Sequence, residues 1–318
     1  MTDNYHASIS KGPVMPHRFR RSFYAFPSAR LGIGAYLRSL NVASGQRILL
    51  PSYVGWSPRE GSGVLDPIRE AGLDFDFYRV DGRLRIDVEH LQSVLASGKT
   101  GVVLLIHYFG RPDASLEEVV DLAHELGAVV VEDEAHAMLT DLVGGISGRH
   151  GDAAVFALHK MLPLRDGGTL VVNQDRHQHD ALWSSESRVS GFDLAGIAAQ
   201  RCANYASWER QLALLTRYLE PLWNGLEPGV VPQTFPVIVH SADRNQLYHR
   251  LNDSGIGVVS LYHTMDRDVP CIGTFLDAHL LTQRIMNLPV HQDVDPEQIE
   301  MASPLLTRAL AASAGTER

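Results

Sequence analysis

The strongest constraint on this chain is a rhythm between residues 47 and 172. Short runs rich in Val, Ile, Leu and Ala alternate there with stretches that carry apolar residues at helical spacing. The runs cover 47–50, 74–80, 102–107, 128–132, 153–158 and 169–172, lengths that suit strands better than buried helices. Helical patterns occupy 28–40, 64–71, 87–96 and 116–126; the first opens on the capping hydroxyl of Ser28, and Gly72 and Gly127 stop two others. Strands that are apolar on both faces need cover on both faces, and the intervening helices supply it. The expectation is an α/β fold with a mainly parallel sheet. Such sheets bind ligands beyond the carboxyl ends of their strands. Asp133 and His136 follow one run directly, and Lys160 follows another.

Beyond the sheet, 207–224 reads as a long Leu-rich helix leading into a smaller C-terminal α+β domain. That unit is expected to hold a strand at 235–240, a helix at 242–254, a strand at 257–262 and a closing helix at 295–311. The division is a polar leader at 1–25, a large domain at 26–206 and a small one at 207–318, which a chain of 318 residues accommodates.

Composition narrows the partners. A formal charge of -9 argues against a nucleic-acid or anionic-membrane surface, so an anionic small molecule would need a local basic pocket. Cys202 and Cys271 form neither a CxxC pair nor a disulfide framework, and no signal peptide or membrane span is readable; the expected location is the cytoplasm. Among the 28 basic residues only Lys11, Lys99 and Lys160 are lysines, leaving 28 − 3 = 25 arginines. Lysine alone of the two can lose its proton and act as an amine nucleophile.

Two familiar motifs fail on inspection. Gly98-Lys99-Thr100 lacks the leading glycine of a phosphate loop, since position 93 is Ser, and it precedes a strand. Gly32-Ile33-Gly34 lacks a third glycine, since position 37 is Leu. Val129-Val130-Val131-Glu132-Asp133-Glu134-Ala135-His136 says more: an apolar strand delivers an acid to the sheet edge, with a histidine three residues on. A helix-capping acid beside a satisfied histidine is the plainer alternative. A metal set of Glu132, Asp133 and His136 has no HExxH pattern or second histidine behind it, and no metal is expected. A lysine after a buried strand and before Asp166-Gly167-Gly168 must be exposed, paired or covalently used. Burial lowers a lysine's pKa, which activates it as a Schiff-base nucleophile. The opening of the helix at Ser28-Ala29-Arg30 offers free N–H groups and a guanidinium to a phosphate.

The order Pro51-Ser52-Tyr53-Val54, His107-Tyr108-Phe109-Gly110, Glu132-Asp133-Glu134-Ala135-His136, Gly151-Asp152-Ala153-Ala154, Lys160, Asp166-Gly167-Gly168 and Leu288-Pro289-Val290-His291 resembles the DegT/StrS sugar-aminotransferase family. The resemblance implies a fold-type-I transferase dependent on pyridoxal 5′-phosphate. It makes Lys160 the Schiff-base lysine, Asp133 the partner of the ring nitrogen, and His136 the residue beside the ring's 3-oxygen. Ala29 and Arg30 match the pair that holds the phosphate. Position 55, where the family carries the aromatic that stacks on the ring, is Gly, so Trp56 is the shifted candidate and Tyr53 the reserve. Ala157 stands where a phosphate-binding serine is expected, with His159 nearby. The stretch 173–208 has no GYNxR motif to reach a neighbouring subunit's phosphate, and Asn204 is its weak substitute.

The implied activity moves an amino group from an amino-acid donor, with glutamate the first choice, to a keto sugar carried by a nucleotide, in a homodimer. Other chemistry with the same cofactor, dehydration or epimerisation, is one alternative. The family's dehydratases carry His at the lysine position, so Lys160 speaks against it. A non-catalytic protein that kept the fold is the other alternative.

Overall fold

The computed structural model describes residues 22–173, 189, 191–213, 215–240, 243–271 and 273–314. Strand β1 (Ser22–Phe26) leads through the Ser28 cap into helix α1 (Ala29–Ser39). Then follow β2 (Arg47–Pro51), α2 (Leu65–Glu70), β3 (Phe75–Tyr78), α3 (Val88–Leu95), β4 (Thr100–Ile106), α4 (Leu116–Glu125), β5 (Val129–Asp133), β6 (Ala153–Ala157) and β7 (Gly168–Val172). The sheet order is β1-β7-β6-β5-β4-β2-β3. Every neighbouring pair from β6 to β3 is parallel, whereas β7 runs antiparallel to both β6 and β1.

Both faces of the sheet are covered, as its apolar strands require. Ile33 and Leu37 of α1 and Ile68 of α2 pack with Leu50, Leu104 and Val155 on one side. Leu91 of α3 and Val119 of α4 pack with Leu49, Val103 and Leu105 on the other. Residues 22–25, read from sequence as leader, form most of β1, because pairing with β7 satisfies their backbone groups.

The C-terminal part consists of α5 (Leu194–Leu212), β8 (Leu219–Pro221), β9 (Thr234–Val239), α6 (Arg244–Asp253), α7 (Leu276–Arg284), β10 (Ile285–Pro289) and α8 (Pro296–Ala314). β10, β9 and β8 make a second, antiparallel sheet. With α6 and α8 it encloses a core that includes Trp208, Phe235, Leu247, Leu288 and Leu306. This is an α/β fold with a smaller C-terminal α+β unit.

Two expected elements differ. The helix read at 207–224 is α5, which starts at Leu194 on the Asp193 cap and ends at Leu212. Its early turns bury Ala198, Arg201 and Asn204, so they carry little of the Leu periodicity that marks a helix in sequence. Beyond its end, Leu219 lies in β8, and Leu215 and Leu222 lie outside any helix. The strand read at 257–262 makes only an isolated bridge, Val259 to Asn287, and Tyr262 at φ 56 ends the extended path. The partner strand of β9 is β10, which the sequence reading had left unassigned. No helix among the described residues is long and apolar enough to cross a membrane.

Candidate active site

At the carboxyl edge of the large sheet lies a cleft of about 770 Å³, within the range of small-molecule and cofactor sites. Ala29, Arg30, Trp56, Asp133, His136 and Lys160 all line it, together with Glu60, His159 and the stretch 259–262. Asp133 is the last residue of β5 and pairs with Val155 of β6, the strand whose continuation carries Lys160. A single 3-10 turn, Leu158–Lys160, turns the lysine back toward β5. Adjacent parallel strands therefore deliver an acid and an amine to one side of the cleft.

The electrostatics of the three groups interlock. The backbone N–H of Phe109 donates to His136 Nδ1 at 3.3 Å, which leaves the neutral ring's proton on Nε2. That Nε2 lies 3.1 Å from Lys160 Nζ. Burial pushes the Lys160 amine below its usual range, with Asp133 pulling the other way. Burial, and then the nearby lysine, hold His136 far below the ordinary imidazole value. Burial raises the Asp133 carboxyl, while Lys160 and the N–H of Ala135, 2.9 Å from Oδ1, restrain the rise.

The opposite wall is the first turn of α1. Its position is set by glycine. A Cβ at Gly168 would stand 2.2 Å from the carbonyl carbon of Ser28 and 2.3 Å from the nitrogen of Ala29, so only glycine lets β7 begin there. Gly167, at φ 123, donates its N–H to Pro27 and offers its carbonyl to Leu158, tying this turn to the lysine turn. The first-turn N–H groups of Ala29 and Arg30 have no acceptor within the helix, as at any helix start. The Arg30 guanidinium is committed elsewhere: it donates to the Glu60 carbonyl and lies 3.6 Å from Asp66. It fastens a hairpin, closed by reciprocal Ser57 and Gly61 backbone bonds, over the cleft mouth.

Behind β5 the alternation of strand side chains sends Glu132 away from the cleft. Glu132 accepts from Gly148, His150 and Gly151 N–H groups and sits 2.9 Å from His107 Nε2. Burial lifts the neighbouring Glu134 to about 8. Ligand atoms of His107, Glu132 and Glu134 lie within 4.8 Å of one another, yet Glu132 is already saturated by those donors. The metal set considered from sequence, Glu132 with Asp133 and His136, is split across the two faces. Asn204 is no phosphate ligand either: its amide is buried and donates to Val290, His291 and Val294 carbonyls. Sequence reasoning missed Tyr262 and Glu60. The glycine at position 55 was the one available hint of the former.

The profile of the DegT/DnrJ/EryC1/StrS aminotransferase family matches residues 24–191. Among solved structures, the aminotransferase TlmJ from Streptoalloteichus hindustanus is similar at TM-score 0.73 and 20% identity, covering 92% of this chain and 86% of that one. DesV from S. venezuelae, solved with a ketimine intermediate, is similar at TM-score 0.73 and 17% identity, with 91% and 84% covered. PseC of Helicobacter pylori, an aminotransferase of pseudoaminic acid biosynthesis, is similar at TM-score 0.71 and 16% identity, with 91% and 87% covered. At such identities these structures speak for the fold; the profile spans more than half of the 318 residues. The chain belongs to the DegT/DnrJ/EryC1/StrS aminotransferase family.

Proposed function

We propose that this protein is a pyridoxal-phosphate-dependent aminotransferase that moves an amino group from an amino-acid donor, glutamate first among them, to a keto sugar carried on a nucleotide. One observation carries the reading: a half-buried lysine of lowered pKa, a carboxyl group and an imidazole converge from adjacent strand ends on a cleft of about 770 Å³. The residues fit the group. Lys160 Nζ is the amine that would hold its aldehyde carbon. The Gly168-seated start of α1, at Ala29 and Arg30, offers N–H groups to its phosphate.

Pyridoxal phosphate supplies a ring that draws electrons from the donor's α-carbon. The protein's residues set that chemistry up. Asp133 would hold a proton at the ring nitrogen, since a carboxylate beside a pyridinium stabilises the charged form. His136 would stand beside the ring's 3-oxygen. Lys160, its pKa lowered by burial, would be the base that moves the donor's α-proton. The similar PseC acts in the biosynthesis of pseudoaminic acid, a sugar acid, which supports a sugar acceptor.

The reading includes a homodimer and a cytoplasmic setting. Leu31 on α1 and Trp56 at the cleft rim are 44% and 41% exposed, apolar surface that a second copy would cover. Cys202 and Cys271 are unpaired, which suits a reducing compartment. The test is borohydride reduction of cofactor-loaded protein followed by peptide mapping. Label is expected on Lys160, persisting in Lys11→Ala and Lys99→Ala and lost in Lys160→Ala. Label on another lysine, or no visible absorption band on loading, would overturn the assignment.

A further inference from the structure

The segment that follows β2 lines the cleft through Val54, Gly55 and Trp56, and the middle one of these has no side chain to offer. The space is not empty. A Cβ built on Gly55 would stand 2.9 Å from Cδ1 and 3.3 Å from Cε1 of Tyr262, a residue 207 positions later in sequence (262 − 55). The backbone there is held in place: Gly55 bridges Met265, and Trp56 N–H donates to Thr264 O at 3.0 Å. Tyr262 itself sits at φ 56, a conformation that costs a bulky residue energy and that persists only where its surroundings demand it.

Those surroundings fix the ring. Tyr53 stacks on it at 4.9 Å and 23°. Tyr108 and Phe109 meet it edge-on at 5.5 and 5.7 Å. His136 stands nearly perpendicular at 5.9 Å and 84°. Four aromatic neighbours thus hold Tyr262 rigidly beside the group of residues that the proposed function assigns to the cofactor. The two other aromatic candidates are placed differently. Tyr53 is fully buried behind Tyr262 and does not line the cleft, and Trp56 stands out in solvent at the rim.

We propose that Tyr262 supplies the aromatic wall for the cofactor's pyridine ring, delivered from the C-terminal half of the chain into the place left open by Gly55. The inference rests on the proposed function and deepens it: the aromatic and the glycine form a swapped pair, in which a side chain at one position requires its absence at the other. A flat ring binds best against another, and preordering that partner removes an entropic cost of binding.

The experiment measures pyridoxal-phosphate affinity by titrating the visible absorption band, with thermal melts of cofactor-free protein to register folding. Tyr262→Phe keeps the ring and is expected to bind within about twofold of the parent. Tyr262→Leu removes it, and affinity is expected to fall about tenfold, the range of one aromatic pair. Tyr262→Gly alone should fall at least as far. The double variant Gly55→Phe/Tyr262→Gly should recover to within about threefold of the parent, because the ring is restored from the other side. Unchanged affinity in Tyr262→Leu, or a double variant as weak as Tyr262→Gly with a parent-like melt, would overturn the inference. So would a loss in Trp56→Ala with none at Tyr262. If the parent protein takes up no cofactor at all, the proposed function falls and this inference with it, an outcome distinct from the others.

Discussion

Gly168→Ala tests the seating of α1 against β7. The added Cβ would lie 2.2, 2.3 and 2.4 Å from the Ser28 carbon, the Ala29 nitrogen and the Ser28 oxygen. All three are backbone atoms, so no flexible side chain can yield. Relief requires the helix start and the strand to part by about 1 Å, an overpacking cost of about 1–3 kcal/mol, with the upper end expected for three backbone collisions. A loss of about 3 kcal/mol lowers the melting temperature of a chain this size by roughly 4–5 °C. The displaced turn is the one that the proposed function offers to the cofactor's phosphate, so turnover should also fall by about 10²-fold, as for other misplacements of about 1 Å. Gly82→Ala is the control: nothing lies within 4 Å of its Cβ position, and its φ is ordinary. Its stability should change by less than about 0.5 kcal/mol. The assay pairs thermal denaturation of cofactor-free protein with cofactor titration and single-turnover rates. A Gly168→Ala protein that melts and reacts like the Gly82→Ala control would refute the account of why α1 starts where it does.

Three further outcomes are expected. Asp133→Asn should keep cofactor bound but slow the donor half-reaction by about 10³-fold, roughly 4 kcal/mol of transition-state stabilisation, in stopped-flow single turnovers. Glu134→Gln should alter pH dependence: the folded protein keeps this proton up to about 8 while the ordinary value is 4.5, so parental stability falls as pH rises between them. The shift of about 3.5 units corresponds to ~5 kcal/mol at most, and the amide variant should lack that slope in urea melts at pH 5 and pH 8. Finally, sedimentation of cofactor-loaded protein should give a homodimer; a fully loaded monomer would refute it.

The parallel sheet was legible because its strands are continuous apolar runs, and the lysine and acid were legible because each follows such a run directly. Strand ends gave the positions of Lys160, Asp133 and His136, while the roles assigned to them came from the family resemblance. What stayed hidden depends on contacts between distant segments. The antiparallel turn of β7 and the edge strand β1 carry no sequence mark of direction. The apolar pattern at 257–262 reads as a strand, but the left-handed Tyr262 ends its extended path, and β10 pairs with β9 instead. Helix α5 buries Arg201 and Asn204, side chains that sequence patterning assigns to the surface. The partners of the Arg30 guanidinium, the Glu60 carbonyl in a hairpin and Asp66 in α2, have no sequence signature.

The cleft is also ordered in time. A ribosome delivers Asp133, His136 and Lys160 more than a hundred residues before the β10 strand that anchors the 259–262 wall through the Val259–Asn287 bridge. A nascent chain can close its large sheet early, yet its amine then faces a site with one side absent. Domains fold as units during synthesis, so the last wall docks only after the C-terminal sheet has formed. Truncated products that retain Lys160 but end before β10 therefore lack one wall of the cleft.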